Sequence, residues 1–157
     1  MMSAVRRLTT RLDWGAITWS GVAAGATYMI LQMVLVPILL GDSPWLPVRM
    51  VAAILLGPDV LPAPDRFAPG VFLLGMAMHF ALSIAYTALL AVIIHRMSAA
   101  ASTIAGIAFG FTLYAVNYHL LGAAFPWFAN GQNLLTMFTH VVFGALAAFG
   151  YHTMTTG

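Results

Sequence analysis

Cysteine is absent from this 157-residue chain, and so are lysine and glutamate. Without cysteine there is neither a disulfide nor a thiolate ligand, so any metal must be held by His, Met, Asn, Gln or Asp. Charge is scarce as well: arginine and aspartate make up 6% of the residues, against 62% that are hydrophobic. Soluble domains carry roughly a quarter charged residues, so this composition cannot build a water-facing surface. The mean hydropathy of +0.94 points to a chain integral to a membrane. A net charge of +2, thinly spread, excludes a nucleic-acid surface.

Apolar segments fill the chain, near 15–40, 70–95, 99–121 and 133–153. Each meets the length of about 20 residues that a spanning helix needs. They predict an all-α, four-transmembrane-helix bundle as a single domain over 1–157. The opening MMSAVRRLTTRLDW mimics a secretory signal, but a signal's apolar core is only about 7–15 residues. The run from Gly15 to Leu40 is longer and holds one strongly polar side chain, Gln32. It reads as a retained first span, and the Arg6-Arg7 pair is not taken as an export signal.

Arginine bias sets the orientation. Arg6, Arg7, Arg11 and Arg96 lie on one side against Asp13; Arg49 and Arg66 lie on the other against Asp42, Asp59 and Asp65. The first side is expected to be cytoplasmic, with both termini inside a bacterial inner membrane. Trp14 and Trp19 at one end, and Trp45 and Trp127 at the other, form the expected aromatic belts. The outer loop 41–69 holds six of the eight prolines. Within it, VRMVAAILL predicts a short helix, too short to span, that lies in the interface or dips in against the bundle. The link Arg96-Met97-Ser98 is so brief that spans two and three are expected to be antiparallel neighbours.

A weak internal repeat is visible. Gly21-x-x-x-Gly25-x-Thr27 in span one matches Gly106-x-x-x-Gly110-x-Thr112 in span three. Each is followed by Pro-Trp in an outer loop, then by Met-x-x-His-x-x-x-small: Met76, His79 and Ser83, then Met137, His140 and Gly144. Such a pattern fits either parallel repeats or coincidence among common membrane residues. Whatever its origin, Gly-x-x-x-Gly lets backbones approach closely, so Gly21, Gly25, Gly106, Gly110 and Gly144 are the expected helix seams.

Counting along each span at about 1.5 Å per residue puts Gln32, His79, Asn117, His119 and His140 in the outer half. Polar groups facing lipid are costly, so these should face inward. One reading makes them a packing cluster, hydrogen-bonded across helices. A second uses His79 and His140 as axial ligands of a b-type haem, with Ser83 and Gly144 leaving room beside each ring. A third places copper between Met76, His79, Met137 and His140, since thioether and imidazole suit the soft cuprous ion. The competing view of those methionines is that they fill gaps in the core. A small-solute transporter or channel is a further alternative, although no span carries Asp, Glu, Arg or Lys at depth. Hydrolysis finds no support: Ser83 alone makes no triad. Tyr28, Tyr86, Tyr114 and Tyr118 either join the polar cluster or anchor at interfaces. His95 and His152 read as solvated end residues.

GDSPWLPVRMVAAILLGPDVLP, NYHLLGAAFPWFANGQN and HVVFGALAAFGY together resemble a group of small, uncharacterised four-span proteins of the bacterial inner membrane. The resemblance covers most of the chain from span one onward. It implies a four-span fold, and it carries over no activity and no functional residues. With so little chain outside the membrane, the expected role is that of an accessory subunit, packed in a larger complex, plausibly a redox one, or against copies of itself. Trp45, Phe125, Trp127 and Phe128 are the expected contact surface.

Overall fold

A computed structural model describes residues 12–62 and 66–156. Arg6, Arg7, Arg11 and Asp65, which carry part of the orientation argument, lie outside the described residues. The chain folds into α1 (Trp14–Leu40), α2 (Leu46–Leu56), α3 (Pro69–Ile94), α4 (Ala99–Ala115) and α5 (Leu134–Thr156). A π-helical turn over Val116–Leu120 prolongs α4, and short 3-10 turns occupy Pro58–Val60, Leu121–Ala123 and Pro126–Gly131. No strand occurs among the described residues. Four helices (α1, α3, α4 with its extension, and α5) are long and apolar enough to cross a bilayer. The fold is the all-helical, four-span architecture expected, with α2 as the short helix between spans one and two.

Helix limits follow from local chemistry. The Asp13 carboxylate accepts the Ala16 N–H at 2.9 Å and caps α1. Gly41, at φ +73°, ends it in the left-handed region that glycine enters most readily. Pro69 opens α3 where its missing N–H costs nothing. Ser98 caps α4, and Asn133 Oδ1 takes the Thr136 N–H at 2.9 Å to cap α5.

Glycine decides which helices meet. A Cβ on Gly25 would stand 2.5 Å from Ser83 Oγ, and one on Gly21 would stand 3.1 Å from the Ile84 backbone. These positions seat α1 against α3. Gly106, Gly110 and Gly144 do the same for α4 and α5, where added Cβ atoms would strike the Gly144, His140 and Gly106 carbonyls. Extensive contact between α1 and α5 joins the two pairs, so the spans run in the order α3, α1, α5, α4. Helices α3 and α4, expected as neighbours, hardly touch. Their four-residue link, 95–98, holds only their near ends, while the glycine seams draw each toward a different partner.

The opposite end is capped. Helix α2 lies on α3, with Val48 against Gly75. The Arg49 guanidinium donates to the carbonyls of Val60 and Arg66, tying the proline-rich loop to α2. Trp127 Nε1 donates to the Met50 carbonyl at 3.1 Å, so the second long loop lands on the same helix.

Candidate functional site

Because α3 and α4 part toward the capped end, a cavity of about 230 Å³ opens between them. Met78, Leu82 and Tyr86 of α3 form one wall; Leu113, Asn117 and Leu121 form the other. Val51 and Ile54 of α2, with Phe125 and Phe128, roof it, while Tyr28, His79, Ser83 and His140 supply its polar depth.

The polar groups are held in a defined order. His79 Nε2 donates to the Gly25 carbonyl at 2.8 Å, across the α1–α3 seam. His140 Nδ1 donates to the Thr136 carbonyl at 2.8 Å, one turn back on its own helix. The Tyr28 ring stacks on His79 (centroids 5.4 Å apart, planes at 25°) and meets His140 edge-on at 4.8 Å. Its hydroxyl is within 3.5 Å of Gln32 Nε2, which donates to it. Gln32 Nε2 donates to Thr139 Oγ1 at 2.8 Å. The Tyr86 hydroxyl donates to Asn117 Oδ1 at 3.0 Å, and Asn117 Nδ2 faces His140 Nε2 at 3.4 Å. Tyr86 and Asn117 thus bridge the two parted helices.

The π turn aims this face of α4. It contains Asn117 and Tyr118, and Tyr118 is buried with its ring against His140 and Phe128. Widening the helix there displaces a carbonyl from the usual ladder. Gln132 Nε2 donates to the Tyr118 carbonyl at 2.8 Å. A close approach makes room for this: Gly131 lies so near the Tyr118 ring that a Cβ there would strike it.

Of the residues singled out in the sequence, His79, His140, Gln32 and Asn117 are brought together around Tyr28. His119 is not among them; it is exposed, with its ring beside Tyr114. Met76 and Met137 are half-buried, and the methionine on the cavity wall is Met78. The aromatic residues expected to meet a partner also pack on this chain. Phe128 is only 7% exposed, Phe125 and Trp127 cluster with it, and Trp45 packs on Phe67 and Phe72. Burying these rings on α2 removes apolar area from water and gives the Trp127 N–H an acceptor.

Tyr28 is one of the four tyrosines whose role the sequence leaves open. Its signal was its register: it follows Gly25 by three positions and precedes Gln32 by four, on one helix face. A haem held through Nε2 of both histidines would have to displace the Tyr28 ring and take His79 Nε2 from the Gly25 carbonyl. Among the described residues, no three of His, Asp or Glu group closely enough to hold a metal ion. No protein-family model, curated protein or solved structure matches this chain.

Proposed function

We propose that the protein is a membrane-embedded binding subunit, taking a small lipid-soluble molecule into the cavity between α3 and α4. The observation that carries this reading is the parting of two spans tied by a four-residue link. It leaves a mostly apolar space, with a few oriented polar groups at its depth, beside the hydrocarbon region. Binding sites have that composition: an apolar wall for affinity and sparse polar atoms for orientation. In the expected topology the cavity lies in the outer half of a bacterial inner membrane. Entry is sideways from the bilayer, because α2 and the Phe125–Phe128 turn cover the capped end.

Native mass spectrometry of the full chain from mild detergent tests this. The wild type should retain one small molecule per chain, and Leu82→Trp, which fills the wall, should lose it while keeping its melting temperature. Equal adducts on a folded Leu82→Trp protein, or none on the wild type, would overturn the reading.

A second reading, compatible with the first, makes the chain an accessory subunit of a larger membrane assembly, a respiratory or other redox complex. The support is α4: it packs mainly on α5 and leaves Ile104, Ile107 and Phe111 exposed. Those residues suit either lipid or the helix of another subunit.

A further inference from the structure

We propose that the cavity selects molecules that donate a hydrogen bond, namely alcohols or phenols with an apolar body, over isosteres that only accept one. This rests on the binding reading above and adds the polarity of the ligand's head.

The argument starts from two backbone carbonyls. A carbonyl only accepts, so a ring nitrogen 2.8 Å away must carry the hydrogen. His79 therefore has its hydrogen on Nε2, facing Gly25, and His140 has its hydrogen on Nδ1, facing Thr136. The doubly protonated ring would bring a positive charge into the membrane interior, where no span contains Asp or Glu and, among the described residues, no carboxylate lines the cavity. That is costly, so both rings are neutral. Each then has one nitrogen left, His79 Nδ1 and His140 Nε2, and each presents a lone pair, the second of them facing the Asn117 amide.

The neighbouring groups obey the same polarity. A lone pair on His140 Nε2 requires Asn117 to turn its NH₂ toward it. Asn117 Oδ1 then takes the Tyr86 hydroxyl hydrogen. Hydrogens thus run from Tyr86 through Asn117 to His140, which commits the Tyr86 hydroxyl hydrogen and leaves the Asn117 amide one further N–H. The bond closing that run is long, at 3.4 Å, so a ligand hydroxyl has a weakly held acceptor to claim as well as His79 Nδ1. Size agrees with this class. An apolar cavity of about 150 Å³ holds benzene, so about 230 Å³ takes a substituted ring or short branched alcohol, with any tail passing between Leu82 and Leu113 into lipid.

The test uses the intact chain in dodecyl maltoside and two probes of nearly equal shape, 4-hexylphenol and 4-hexylanisole, titrated calorimetrically. The methyl ether accepts but cannot donate. Expected is one saturable site for the phenol and binding about tenfold weaker for the ether, the size of one hydrogen bond lost with its acceptor left bare. His79→Leu, if it folds, should narrow that ratio; the wild-type comparison decides without it. Equal binding of both probes would overturn the donor preference and leave the binding reading standing. Saturable binding of neither would overturn both.

Discussion

At the residue scale, Gly110 and His140 meet backbone to backbone, which ties a packing position to a cavity position. A methyl group on Gly110 would strike the His140 carbonyl and also approach the Val141 Cα at 2.9 Å. Neither atom is the end of a flexible side chain, so the helices must separate. Gly110→Ala should destabilise the protein by about 1–3 kcal/mol, read as a lower midpoint of unfolding in SDS titration. Gly122→Ala, where a Cβ meets nothing within 4 Å, should leave the midpoint unchanged. The glycine positions were legible in the sequence because Gly-x-x-x-Gly has a packing meaning by itself. The role of Tyr28 was not, since a tyrosine in a span serves equally as anchor, filler or hydrogen-bond partner until its neighbours are known.

At the scale of elements, α2 acts as a clamp rather than as a free interfacial helix. Arg49 counted in the sequence only as a loop charge that helped set orientation. In the fold it is buried, with its guanidinium on the Val60 and Arg66 carbonyls. Arg49→Met keeps the aliphatic bulk and removes those donors. It should raise amide hydrogen exchange across 58–62 and 66–68 while α4 and α5 keep their protection. Hydrogen bonds from a charged donor contribute roughly 1.5–3 kcal/mol, enough to open the loop locally; unchanged exchange would show that the clamp lies elsewhere. The π turn at the end of α4 was equally hidden. VNYHL holds no Gly or Pro to break a helix, and the turn depends on Gln132 and Gly131 arriving from the next loop.

At the scale of the molecule, the two helix pairs are built alike. Gly25 meets the side chain of His79, and Gly110 meets the backbone of His140. Two turns beyond each glycine an amide side chain, Gln32 or Asn117, reaches toward α5. The pairs join through α1 and α5 and leave their outer members apart, so the bundle is a curved row with a gap. The absence of cysteine makes its orientation directly testable. Asn130→Cys should react with a membrane-impermeant maleimide in intact spheroplasts, and Met97→Cys only after lysis. The reverse pattern would invert the topology inferred from the arginines.

Span number, approximate span limits and the short helix in the first loop were determined by the sequence alone. Insertion depends on length and apolarity summed along each segment, and both are local quantities. Which spans meet was decided only in three dimensions. Contact between helices depends on how closely two backbones approach, a distance that the glycines permit and the connecting turn does not dictate. The cavity is the consequence. It exists because two seams pull α3 and α4 to different partners, and no single segment records that competition.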